Sequence, residues 1–238
     1  MARKFQFNWK VTTFFVVFLV TFLRLGLWQL DREDEKRSLI AERETKLQQA
    51  PTSASDIGLA GDLRGVPIRL DGVFNEGITL LRDNVVLNGK VGFEVHQLFE
   101  DVSGRRFLVN RGFVPMGRTR QDPVVIPAPD KGRHSLTGIV YPSMAAPMAL
   151  ENIDAGADGY PVIVQQVRTD WLTERLGDEV YPFVIRLNEE QPGALPRYWP
   201  DTVIPPEKHF GYAIQWFSMA LAILIAWLFF SFRKEEVQ

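Results

Sequence analysis

Apolar positions gather in two runs near the ends of the chain and are scattered at short, strand-like period between them. The second run is the cleaner. From Phe210 to Phe232 no residue is charged, and Arg233 and Lys234 close it. At a rise of ~1.5 Å per residue, a helix of that length crosses a hydrocarbon core of ~30 Å. The first run, 11–23, has thirteen residues and is too short alone; counting on to Leu30 gives twenty, enough to cross if Arg24 snorkels toward the far surface. No small-x-small cleavage site follows Leu23, so the pattern predicts an uncleaved transmembrane helix over 11–30, not a signal peptide. A second transmembrane helix is expected over 209–232.

Wound as a helix, the second run divides into faces. His209, Tyr212, Ala213, Trp216 and Ala220 fall on one side at spacings of three and four. Gly211, Gln215, Ser218, Ala222 and Ala226 fall on roughly the other, a small-residue stripe of the kind that lets membrane helices approach closely. The first face is therefore expected to meet a planar or aromatic contact, and the second a partner helix.

Residues 31–49 are dense in Glu, Lys, Arg, Gln and Leu and stop before Pro51, which predicts a charged helix prolonging the first span. From about 65 to 188 the period shortens. Strands are expected over 64–74, 78–82, 91–100, 105–113, 134–141, 161–167 and 181–187, and one short helix over 171–176. Turns are expected at Asp83-Asn84 and Asn88-Gly89, a hairpin loop at 101–104, and Pro-rich connections at 123–129 and 192–206. The fold class that follows is a membrane-anchored α+β protein: two transmembrane helices flanking an antiparallel, barrel-like β domain with minor helix, spanning 31–208.

Charge sharpens this division. Six of the 27 basic and two of the 29 acidic residues lie outside 31–208, leaving 21 against 27 there and a formal charge of −6. The middle is thus a soluble domain, and a whole-chain charge of −2 gives no excess of cations to release phosphate counterions from a nucleic acid. Basic residues precede the first span and follow the second. That places the tails 1–10 and 233–238 in the cytoplasm and the domain beyond the membrane, most simply a bacterial inner membrane with a periplasmic domain. There is no cysteine, which removes disulfides, thiolate metal sites and a cysteine nucleophile. No G-x-S-x-G, Walker loop, H-E-x-x-H or G-x-G-x-x-G occurs, so the sequence gives no reason to expect an enzyme.

Several stretches together resemble one family. Residues 24–32 (RLGLWQLDR) resemble the G-x-W-Q-x-x-R signature of the Surfeit locus protein 1 (Shy1) family. LDGVF at 70–74, RDN at 82–84, GFEV at 92–95 and LVNRGFVP at 108–115 resemble its soluble-domain motifs, and HFGYAIQWF at 209–217 its H-x-x-Y-A-x-x-W-F signature. Phe113 stands where the family pattern has Trp, and 144–160 matches nothing in it. The resemblance implies a non-catalytic assembly factor (chaperone) for haem–copper cytochrome c oxidase. Such a factor assists delivery of haem a to the catalytic subunit, with haem a synthase as a further candidate partner. The alternative is a scaffold that holds the nascent subunit without touching haem.

The candidate cofactor-binding residues are His209, Tyr212, Trp216, Trp28 and Arg24. His209 would ligate the haem iron through a neutral imidazole, Tyr212 and Trp216 would lie against the porphyrin, and Arg24, with Arg32 or Lys208, would pair a propionate. Each has a plainer reading. His209, Tyr212 and Trp216 also make an ordinary interfacial belt, and Arg24 also snorkels with a cation–π contact to Trp28. Gln29 and Gln215 are expected to hydrogen-bond across the helix pair. His96 and His134 are expected at the surface. Asn110, Arg111 and Gly112 are expected either to line a binding edge or to form a strand-end turn.

Overall fold

A computed structural model describes residues 3–5, 7–58, 62–118, 122–142, 161–197, 199 and 205–234. The 144–160 stretch and residues 200–204 of the second Pro-rich connection lie outside them. The chain forms two compact units, Met1–Glu42 with Asp201–Gln238, and Arg43–Pro200.

The first unit is an antiparallel helix pair. Helix α1 runs unbroken over Trp9–Leu47 and α3 over Pro206–Ser231, and both are long and apolar enough to cross a membrane. The Asn8 side-chain oxygen caps α1, accepting from the Lys10 and Val11 amides at 3.1 and 3.4 Å. Pro206 starts α3, where a missing N–H costs nothing. Beyond the helices, strands β1 (Arg3–Phe5) and β9 (Phe232–Lys234) pair antiparallel.

Burial along α1 falls on Thr12, Phe15, Leu19, Phe22, Gly26, Gln29 and Glu33. Along α3 it falls on Pro206, His209, Ala213, Trp216, Ala220, Ile223 and Trp227. Both series alternate steps of three and four, the spacing of a coiled-coil seam. Small residues sit opposite large ones: a Cβ on Gly26 would stand 2.6 Å from the Phe217 ring. The Phe22 and Trp216 rings lie 5.8 Å apart, and the Trp227 indole N–H donates to Thr12 Oγ1 at 3.3 Å. The expected division of faces is therefore reversed. The His209–Ala213–Trp216–Ala220 face packs on α1, whereas Gly211, Gln215, Ser218 and Ala222 are exposed. A seam needs bulk as well as small residues, and only the first face offers both.

The second unit is β-rich. Strands β3 (Pro67–Leu87), β4 (Lys90–Asp101), β5 (Arg106–Pro115), β8 (Val180–Leu187) and β6 (His134–Pro142) pair in that order, and β6 pairs back onto β3. Five strands thus curl into a closed path, as in a small Greek-key barrel. The sheet is mixed, not purely antiparallel: β5–β8 is a parallel pair, and the short strands β2 (Thr52–Ser53) and β7 (Val162–Val164) add to β3 in parallel. Ile68, Leu70, Phe99, Phe107, Val109, Leu136, Val140, Ile185 and Leu187 come from all five strands and fill the inside. Leu80, Leu98, Leu108 and Val184 form a second cluster, covered by β7 and by Leu172 of helix α2 (Thr169–Leu176).

Two expected features change form. The runs 64–74 and 78–82 belong to one bent strand, and Asp83-Asn84 is a bulge, not a turn. Asn84 takes φ 60°, and the register with β4 slips between Arg82 and Val85. Asn88-Gly89, with φ 50° and 76°, does make the tight hairpin turn, for which positive φ at both central positions is the requirement.

Candidate functional site

The end of the helix pair remote from β1 and β9 carries the first candidate site. Three turns of α1 before Glu42 the seam ceases to be apolar: Gln29 and Glu33 are both buried, 9% and 8% exposed. The His209 Nδ1–H donates to Gln29 Oε1 at 2.8 Å. An amide oxygen can only accept, so a neutral ring bonded in this way carries its proton on Nδ1 and its lone pair on Nε2. That Nε2 is covered and has no hydrogen-bond partner. One turn along α1, Arg37 clasps Glu33 through Nε and Nη2 at 2.9 and 2.8 Å, neutralising the buried carboxylate.

The other expected site residues divide. Trp216 is half-buried in the seam against Phe22. Tyr212 is exposed, and so are Arg24 and Trp28, which face away from the seam on α1. Arg32, not Arg24, lies over the Trp28 ring, at 5.7 Å from its centroid. Gln215 is exposed and Gln29 bonds instead to the histidine, not to a second amide. Spacing would have found it: Gln29 lies in the same three-four series as Phe22 and Gly26.

The second unit holds a buried polar row on the sheet face it shares with Leu98 and Leu108. Glu94 Oε2 accepts from Arg82 Nε and Nη2 at 2.9 and 2.8 Å and from Asn110 Nδ2 at 3.1 Å, with His96 Nε2 at 3.5 Å. Burial alone would raise the Glu94 carboxyl, but His96 and Arg82 more than offset it and hold it at about 2. His96 is 3% exposed, contrary to the expectation of a surface residue. Burial pushes its pKa below the usual histidine value, so the ring is neutral at physiological pH. The misreading came from alternation: β4 is buried on both faces from Gly92 to Phe99, and alternation marks the core only where one face meets water.

Asn110, Arg111 and Gly112 are neither edge nor turn. Gly112 pairs with Val95 and Asn110 with His96, so Arg111 is the extra residue of a bulge inside β5. Gly112 takes φ 124°, and a Cβ there would meet the Leu195 carbonyl oxygen at 2.5 Å. The bulge turns Arg111 inward, 2% exposed. It donates to Gly193 O at 2.7 Å, Gln97 Oε1 at 2.7 Å and Pro127 O at 2.6 Å. One guanidinium therefore holds both Pro-rich connections onto the sheet, and burial lowers its pKa to about 10.

The pairing of Gln29 with His209 joins the 24–32 and 209–217 motifs in space, and comparison with known proteins reads them together as well. A family model described as the SURF1 family matches residues 16–221. The chain belongs to the SURF1 family. It is similar to a SURF1-like protein of Rickettsia felis, 22% identical over 229 residues that cover 90% of this chain and 95% of the relative. A SURF1-like protein of Rickettsia conorii is 25% identical over 248 aligned positions, covering 95% and 93%. Within this SURF1-family chain the matched region takes in most of α1, the whole β unit and the first half of α3.

Proposed function

We propose that this SURF1-family chain is an assembly factor for haem–copper cytochrome c oxidase. It assists delivery of haem a to the catalytic subunit and catalyses no reaction of its own. The observation that carries the haem reading is the Gln29–His209 bond. An imidazole held by an acceptor on one nitrogen presents a basic lone pair on the other, the usual arrangement for a metal ligand. Haem a, when bound, would supply an iron that an imidazole nitrogen can ligate. His209 is the ligand in this reading, and Tyr212 and Trp216 flank the porphyrin along α3. Arg24 and Trp28, turned outward on α1, meet it from the lipid side, with Arg24 toward a propionate. The donor fits, but Nε2 is covered, so whatever covers it must move before iron reaches it.

That covering favours the second reading, a haem-free scaffold that stabilises the nascent oxidase subunit. Visible spectra of the protein purified from cells making haem a, beside His209→Ala, separate the two. Haem in the wild type and its loss in the variant support ligation; haem in neither, or equally in both, leaves the scaffold. The address we propose is the bacterial inner membrane, with both ends cytoplasmic and 31–208 periplasmic. A periplasm-dependent reporter is then active when inserted near Gly132 and silent after Gln238; the reverse pattern refutes the orientation.

A further inference from the structure

The middle of β3 opens a cleft in the β unit. The register with β4 slips between Phe74 and Thr79, and Asn75 Oδ1 accepts from the Gly77 and Ile78 amides at 2.9 and 3.1 Å, so residues 75–78 bulge from the ladder. Between this bulge and the first Pro-rich connection lies a cavity of about 560 Å³, walled by Val73, Phe74, Ile126 and Pro129, with Thr79 and Arg111 also in its lining. Thr79 and Arg111 are 8% and 2% exposed and Val73 is 46% exposed, so the polar groups lie deep and an apolar edge faces out.

A guanidinium has five N–H donors. Arg111 spends three, one from Nε and one from each terminal nitrogen, on neutral oxygens. One N–H on each terminal nitrogen is left over. Among the described residues no carboxylate pairs with it, and burial lowers its pKa with no anion opposing. Glu76 and Asp130 also line the cleft, but both are exposed, and Glu76 has the Lys131 ammonium at 3.7 Å. Solvent screens charges at the mouth far more than the buried one. A buried cation held by neutral groups alone is costly, and an anion beside it offsets that cost.

We infer that this cleft is a binding site for a carboxylate carried on an apolar body. The carboxylate accepts from the two spare N–H groups of Arg111, with the Thr79 hydroxyl in the same wall, and the apolar part lies along Val73, Phe74, Ile126 and Pro129. A guanidinium is the side-chain group whose donors match a carboxylate in both charge and shape. The site depends on nothing concerning haem, and it stands equally under the delivery and the scaffold readings.

Full-length protein in nanodiscs is titrated calorimetrically at neutral pH with N-acetylphenylalanine, and separately with the uncharged N-acetylphenylalaninamide, with empty discs as the blank. The acid is expected to bind with a dissociation constant on the order of 1 mM, and the amide at least about tenfold more weakly. Val73→Trp fills the cleft from its exposed edge without touching the guanidinium, and should abolish binding of the acid. Equal binding of acid and amide by the wild type, or binding of neither, overturns the inference before any variant is made. Binding of the acid that Val73→Trp leaves unchanged also overturns it, because the acid then sits elsewhere. Inorganic phosphate binding as tightly as the acid does so too, since the apolar walls would then contribute nothing.

Discussion

Replacing Gln29 with Leu removes one acceptor and little volume. The 2.8 Å bond from His209 Nδ1 is lost, and the N–H is left beside an aliphatic side chain in a buried seam. An unpaired buried donor costs about 1–3 kcal/mol. The ring relieves that cost by moving its proton to Nε2 or by rotating, and either change withdraws the lone pair from the position it now holds. Loss of such an orienting partner typically lowers metal affinity by about 10–100-fold, an effect of the same size. Titration of haem into nanodisc-embedded protein, read by the Soret band, should therefore show Gln29→Leu binding at least about tenfold more weakly. Gln29→Glu retains an acceptor and should stay near wild type. Should Gln29→Leu bind haem like wild type while His209→Ala does not, the orienting role is refuted although ligation stands. Should all three bind alike, the histidine is no ligand.

Three further tests bear on the framework. Gly26→Ala puts a Cβ 2.6 Å from Phe217, and relief by overpacking costs about 1–3 kcal/mol, so thermal unfolding in detergent should come several degrees lower; an unchanged midpoint would mean the seam is loose. Glu94 has its carboxyl depressed from 4.5 to about 2 in the fold, so its contribution is complete above about pH 4.5 and disappears as pH falls toward 2. The stability gap between wild type and Glu94→Gln, at most roughly 3 kcal/mol at neutral pH, should close over that window, and a gap independent of pH would contradict the ion pairing. Arg111→Met strips three acceptors of their donor and should cost roughly 3 kcal/mol or more. Limited proteolysis should then cut near residues 127 and 193 first; cleavage unchanged from wild type would show the clamp to be dispensable.

The membrane helices, the curled β-rich unit and the Asn88-Gly89 hairpin were legible because each depends on chemistry local in the chain. A run without charge, a period and a pair of residues tolerating positive φ are properties of neighbours. The Asp83-Asn84 bulge was misread for the same reason: the residue that favours a turn equally favours a bulge, and only the partner strand decides. Parallel pairing of β5 with β8 had no local signal, since direction is set by the route of the chain between them. His96 and Arg111 were hidden in a different way. A buried polar residue looks like an exposed one until its distant partners are known, here Glu94 and Arg82 for one, and Gly193 and Pro127 for the other.

By itself the sequence determined that two apolar helices bracket a β-rich unit, and that His209 opens the second helix as a candidate ligand. It could do so because hydrophobicity and helical length are additive along a chain. Only the tertiary structure decided which face of α3 meets α1, and that Gln29 rather than Gln215 crosses the seam to the imidazole. Facing depends on how bulk and gap interlock between two helices at once, and neither helix carries that information alone.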